Sequence, residues 1–242
     1  MDRSTLPPEG TPQVVCRLKL AKTGPARFMS HLDFMRAVER AVRRAGLPVA
    51  LTQGFHPHPR MSFSPALPVG VESECELVDV ELREGLDAGE AARRMRAALP
   101  PGLRLMACAV VPHGGPSVSS MIRAASYDVD FGCGDAGECR DAVEAAIGEL
   151  LRAHAIPVSR TTPKGIKEVD LRPLIYELGF VRGHGTDSVR MLVAAGPGQH
   201  VRPGDVVREI ARRAALGERA RPARIVRKEF FAERNGALCP LL

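Results

Sequence analysis

Two histidines one residue apart, His56 and His58, stand in the stretch 54-GFHPHPRMSFSPALPVGVES-73 beside Arg60, two phenylalanines and four prolines. Imidazole ligates metals and moves protons near neutral pH. A metal would need a third and often a fourth ligand, and no nearby Cys, Asp or Glu completes a known spacing, so no metal is expected here. Each histidine precedes a proline, which biases its backbone to extended conformations. The stretch therefore reads either as a rigid segment with surface imidazoles or as a contact for an anion such as RNA. A second pair, His31 and Asp33, falls where a helix should begin. His31 is placed to act as a general acid or base, or to meet a phosphate at the helix N-terminus. His31, Asp33, His56 and His58 are thus the candidate acid–base residues.

The candidate anion contacts are basic. Lys22 and Arg27 flank a Gly-bearing turn, 22-KTGPARF-28, just ahead of His31. Arg36 and Arg40 lie off the apolar face of the helix that follows, and Arg60 closes the histidine stretch. Lys164, Lys167 and Arg172 alternate with Ile166, Val169 and Leu171 in 161-TTPKGIKEVDLRPLI-175. That alternation fits an RNA-contacting strand, or a charged edge that blocks strand-to-strand aggregation. Walker A, dinucleotide-binding, serine-elbow and zinc-protease patterns are all absent, and no cofactor is expected.

The elements that must position these residues follow from periodicity. Residues 14–24 start as a strand with Cys16, Leu18 and Leu20 on one face and Val15, Arg17 and Lys19 on the other. Residues 30–46 form a helix capped by Ser30, with Leu32, Met35, Val38, Val42 and Ala45 as its apolar face. Strand candidates at 47–55, 74–84 and 103–111 and a helix at 87–99 complete a β-α-β-β-α-β order. The Pro-, Gly- and Ser-rich segment 112–120 ends this half. The order then returns: strand 125–132, helix 138–155, an enlarged second-strand region 156–180, strand 188–195, helix 205–216 and strand 223–231. The expected fold is α+β, as two tandem ferredoxin-like units with antiparallel sheets. Residues 1–13 form a disordered leader, 14–111 the first domain, 112–124 a linker and 125–242 the second domain. A single larger α+β domain is the alternative.

Composition narrows the class. The 242 residues are 45% hydrophobic, enough for a core, and carry a net charge of +6, mostly from Arg. Arginine makes planar, two-pronged contacts with phosphates and carboxylates, so an anionic partner fits. The 4% aromatic content and absence of Trp weigh against a binder that relies on many stacking platforms. No apolar run is long enough to span a membrane. The six cysteines form no C-x-x-C pair, which suits a reduced, cytoplasmic protein.

The motifs SHLD at 30–33, GFHPHPRMSF at 54–63, ALPVGVES at 66–73 and KGIKEVDLRPLI at 164–175 resemble the radical-SAM-linked family of unknown function. Its members are fused to the C-terminal side of radical-SAM-type proteins or encoded beside them, some near ribonuclease G-type and ribosomal-protein genes. The resemblance implies a bacterial cytoplasmic setting and a radical-SAM protein as partner. It brings no catalytic mechanism. The chain has no C-x-x-x-C-x-x-C run, so it carries no iron–sulfur site of that type itself.

Three functions are consistent with these features. The leading expectation is a non-catalytic RNA-binding or adaptor module that works with a radical-SAM enzyme in RNA modification or processing, with tRNA or rRNA as partner. The second is an enzyme acting on RNA, a nuclease or base-modifying enzyme, using the His and Asp residues. The third is a purely protein-interaction subunit of the radical-SAM enzyme.

Overall fold

The computed structural model describes residues 13–53, 55–132, 137–162, 165–181, 188–216, 222 and 224–242. The chain is an α+β protein that divides into two compact units, one ending at Met121 and including Leu242, the other spanning Ile122–Leu241.

The first unit runs β1 (Val14–Lys22), a 3-10 turn (Gly24–Phe28), α1 (His31–Arg44), β2 (Met61–Phe63), β3 (Glu72–Leu82), α2 (Ala88–Ala98), β4 (Leu103–Pro112) and a short α3 (Val118–Met121). Its strands pair antiparallel in the order β2-β3-β1-β4. Side chains alternate across a strand, so Cys16, Leu18 and Leu20 of β1 and Val78, Val80 and Leu82 of β3 fall on one face. Phe34, Ala37, Val38, Ala41 and Val42 of α1 and Ala91, Ala92, Met95 and Ala98 of α2 close over that face as one core. The other face carries Arg17, Asp79 and Glu81. At Gly102 a turn at φ +86° brings the backbone so near Ala26 that an added Cβ would sit 2.7 Å from the Ala26 Cβ. Only glycine fits there.

Two expectations are corrected. Leu32 is 53% exposed, and Phe34 takes the inward position instead. The Phe34 ring meets Phe63 edge-on at 6.1 Å, which turns the buried stripe of α1 toward residues 34, 37, 38, 41 and 42. Second, 47–55 is not the second strand: among its described residues only isolated bridges form, Val49 with Leu82 and Leu51 with Pro59. Proline lacks an N–H and cannot extend a ladder; Pro48 interrupts this stretch, and Pro57 and Pro59 follow it. Regular pairing begins only at Met61, inside the motif, opposite Val80.

The second unit runs β5 (Ile122–Asp130), α4 (Gly137–Arg152), β6 (Pro157–Thr162), β7 (Gly165–Asp170), a 3-10 turn (Arg172–Leu174), β8 (Ile175–Val181), β9 (Ser188–Gly196), β10 (Gln199–His200), α5 (Pro203–Arg213), β11 (Arg224–Arg234) and β12 (Ala237–Pro240). Its strands pair antiparallel in the order β8-β9-β5-β11, with β10 added to β9 and β12 to β11. β6 and β7 form a separate hairpin. Val143, Ala146, Ile147 and Leu150 of α4 and Val206, Val207, Ile210 and Ala211 of α5 are buried. Cys16, Cys75, Cys108 and Cys239 form no disulfide, whereas Cys139 is disulfide-bonded, against the expectation of six reduced cysteines. Among the described residues no helix is long and apolar enough to cross a membrane.

Candidate functional site

Helix α1 organises the first candidate surface. Ser30 caps it: the Ser30 Oγ accepts from the Asp33 amide at 3.1 Å and donates to the Asp33 carboxylate at 2.7 Å. An anion at the helix N-terminus is stabilised by the unpaired amides and the helix dipole, and Asp33 supplies that anion from within the chain. His31, the first helical residue, meets the Phe63 ring edge-on at 6.3 Å. Lys22 is buried and donates to the Met29 carbonyl at 2.8 Å. Arg27 lies 3.6 Å from Glu72, with its guanidinium 4.8 Å from the centre of the Phe28 ring.

Along the helix the four arginines divide. Arg43 bonds Glu39 at 3.0 Å, and Arg44 donates to the Ala98 carbonyl at 2.6 Å, tying α1 to the end of α2. Arg36 and Arg40, one turn apart, are exposed and have no acidic partner among the described residues. Residues three and four apart share a helix face, so Arg36, Glu39, Arg40 and Arg43 form one stripe.

The histidine stretch lies beside that stripe. Residues 50–53 and 55–60 leave and rejoin the sheet as a narrow excursion. Thr52 N donates to the His58 carbonyl at 2.8 Å, His58 N to Thr52 Oγ1 at 3.0 Å, and Arg60 N to the Ala50 carbonyl at 2.9 Å. His58 Nδ1 comes within 3.6 Å of Glu39 Oε1. Phe55, His56 and His58 are exposed, Phe55 completely (103%). Arg60 instead turns to Glu81, at 2.9 Å.

Two of the candidate acid–base residues thus have different neighbours: Asp33 bonds Ser30, and His58 lies near Glu39. His31 and Glu39 are eight residues apart, about 12 Å of helix axis. Among the described residues no group of three or more His, Cys, Asp or Glu could hold a metal ion.

On the other face of the first sheet is a cleft of about 110 Å³ that the sequence did not announce. Arg17, Ser62, Asp79, Glu81, His113 and Ser117 line it. Arg17 and Asp79 are cross-strand partners joined by two hydrogen bonds, 2.7 and 2.9 Å, and Asp79 also accepts from the Val118 amide at 2.9 Å. Glu81 sits between Arg60 and His113, the latter at 3.6 Å. The alternation of β1 and β3 places these residues on one face, but nothing in the sequence says which β1 position stands opposite Asp79.

In the second unit Lys164 lies outside the described residues. Lys167 is exposed on β7, opposite Arg160. Arg172 donates to the carbonyls of Leu151 (3.1 Å) and Ile175 (3.4 Å), bridging the end of α4 to β8. Asp170 accepts from the amides of Ile156 (2.7 Å) and Arg172 (3.0 Å), and these bonds hold its carboxyl below the usual range. The buried Asp205 of α5 takes Arg160 at 2.7 Å and Arg208 on its two oxygens. Nearby His200 is pushed down by burial first, then by Arg227, Arg160 and Arg202.

A family model described as "Uncharacterized protein conserved in bacteria" (DUF2344) matches residues 16–203, more than three-quarters of the chain. The chain belongs to that family. The match takes in α1, the histidine excursion, the cleft around Arg17 and the 164–175 motif. No curated protein matches. Among solved structures, one titled "Crystal Structure of a Cbf5-Nop10-Gar1 Complex" aligns over 96% of this chain at 13% identity, with a TM-score of 0.46. The DUF2344 chain spans 57% of that chain's length. A second, "Crystal Structure of an Unknown Protein from Galdieria sulphuraria", aligns over 85% of this chain and 91% of that one at 12% identity, with a TM-score of 0.24. Neither likeness is close enough to bear on function.

Proposed function

We propose that this DUF2344 protein is a non-catalytic module that binds RNA and works with a radical-SAM enzyme in the bacterial cytoplasm. The observation that carries the reading is the exposed stripe of α1, where Arg36 and Arg40 have no acidic partner among the described residues and the excursion bearing His56 and His58 lies alongside. Unpaired arginines on a rigid helix suit phosphate groups, because the guanidinium fork matches their oxygens and no ion pair has to break first. Binding is favoured over catalysis because Asp33 is committed to the helix cap and His58 lies out by Glu39, about two turns along α1 from His31. The choice of RNA and of the radical-SAM partner rests on the family resemblance of the SHLD and GFHPHPRMSF motifs. Each unit is read as ferredoxin-like: the element orders and the strand orders β2-β3-β1-β4 and β8-β9-β5-β11 support that reading.

The test is RNA binding by fluorescence anisotropy across a salt series. Affinity should fall steeply with salt. Arg36→Gln with Arg40→Gln should weaken binding and lower the salt slope by about 1 for each phosphate that is no longer neutralised. Absence of binding at low salt, or a double variant that binds as the parent does, would reject it. Recovery of the radical-SAM protein after ribonuclease treatment tests the partner separately.

A further inference from the structure

We infer that the RNA taken by this face is single-stranded, with unpaired bases stacking on Phe55 and Phe28 while Arg36 and Arg40 hold the phosphates between them. The inference rests on the RNA reading above.

The chain has eight phenylalanines, two tyrosines and no tryptophan. With so few rings, where they go is informative. Phe34, Phe131 and Phe230 are buried, yet Phe55 is fully exposed and Phe28 is 60% exposed. Both of these phenylalanines lie in segments next to α1, whereas the exposed Tyr176 (46%) is on β8. Phe28 ends the 3-10 turn three residues before the helix starts. Phe55 stands at the tip of the excursion whose His58 reaches Glu39. Phe28 thus precedes the helix that carries Arg36 and Arg40, and Phe55 belongs to the segment that approaches that helix at Glu39, about 12 Å of helix axis beyond His31.

Local structure holds the rings out. The excursion is closed by the Thr52–His58 and Ala50–Arg60 backbone bonds. Pro57 and Pro59 restrict its backbone further. At the other end, the Arg27 guanidinium lies over the Phe28 ring at 4.8 Å, a cation–π pair, and the Arg27 carbonyl accepts from Gly70 N at 2.9 Å. An aromatic ring next to unpaired cations suits a base next to a phosphate. A duplex offers no such match: its bases are already stacked, and the A-form major groove is too deep and narrow for side chains. A single strand offers both, because every base has a free π-face.

The experiment compares an unstructured RNA oligonucleotide with the same strand annealed to its complement, against the full chain at low salt. The single strand should bind more tightly. Phe28→Leu and Phe55→Leu keep an apolar side chain but remove the π-face, and both sites are exposed, so folding is unaffected. Each should weaken single-strand binding by about 5- to 150-fold, the range for losing one stacked base, and leave duplex binding unchanged. A 2-aminopurine base in the strand should lose fluorescence on binding to the parent and regain it with the Leu variants. Equal binding of strand and duplex, insensitive to both Leu variants but abolished in the Arg36→Gln/Arg40→Gln protein, would overturn the single-strand inference and leave the RNA reading standing. If neither RNA form binds, the RNA reading itself fails. Retention of a protein partner by the Leu variants and its release by Phe28→Asp and Phe55→Asp, without any RNA effect, would make the rings a protein-docking surface and overturn the inference.

Discussion

Arg17 of β1 and Asp79 of β3 stand directly opposite each other and are joined by two parallel hydrogen bonds, with only 12% and 7% of their side chains exposed. Removing one member of such a pair leaves a charge without its partner in a poorly solvated place, which costs about 3–5 kcal/mol. Asp79→Ala should therefore lower the urea midpoint of the protein markedly, as should Arg17→Ala. Replacing both with apolar residues should recover only part of the loss. The Val118 amide, which also donates to Asp79, would still lack an acceptor, at about 1–3 kcal/mol. Full recovery in the double variant would show that this amide finds another partner.

The Ser30–Asp33 cap is expected to act through helix stability. Ser30→Ala removes the side-chain acceptor for the Asp33 amide and should cost about 1 kcal/mol in thermal or urea unfolding. Asp33→Asn should cost less, since the amide side chain keeps a hydrogen bond to the Ser30 hydroxyl and loses only the charge at the helix start. Neither change should alter RNA affinity. A large loss of binding in Asp33→Asn, with stability intact, would make this residue a functional group after all.

How far the sequence could be read is clear from α1 and the segment after it. Ser30, the apolar period and Gly46 mark a helix, and the observed helix is His31–Arg44 with Ser30 as cap. Local chemistry is sufficient there because the cap and the stripe are properties of neighbouring residues. Which apolar residues face inward was less legible: Phe34 rather than Leu32 is buried, because Phe63, distant in sequence, offers it a partner. The start of the second strand depended on tertiary pairing with β3. Residues 47–55 have strand-like side chains, but their neighbouring prolines cannot supply ladder hydrogen bonds, so pairing waits until Met61. The cleft around Arg17 was invisible for a related reason. It requires the register of β1 on β3 and the position of residues 113–117, neither of which a period encodes.

His200 should make the protein sensitive to mild acid. Burial and the arginines at 227, 160 and 202 lower its pKa from the ordinary 6.5, so the folded state prefers the neutral ring. A group with a depressed folded pKa contributes stability that is present above its unfolded pKa and lost as pH falls through the folded one. Stability should thus decline as pH drops below about 6.5, before the carboxylates titrate. His200→Asn should flatten that limb while keeping the backbone carbonyl that accepts from Arg160. An unchanged acid limb in the variant would assign it to other groups.

Arg172 and Lys167, both candidate anion contacts, differ in what they touch. Both terminal nitrogens of Arg172 are directed at carbonyls, Leu151 at the end of α4 and Ile175 at the start of β8. Hydrogen bonds to a charged group contribute about 1.5–3 kcal/mol, so Arg172→Ala should destabilise the protein by an amount in that range. Arg172→Lys should recover little, because a single ammonium cannot span two carbonyls as the guanidinium fork does. Lys167, exposed on β7, should behave in the opposite way, with Lys167→Gln leaving the unfolding midpoint where it is. Anisotropy measured beside the unfolding curves decides the matter. If Arg172→Ala weakens RNA binding at a temperature where the variant is fully folded, its guanidinium reaches the nucleic acid as well as the two carbonyls.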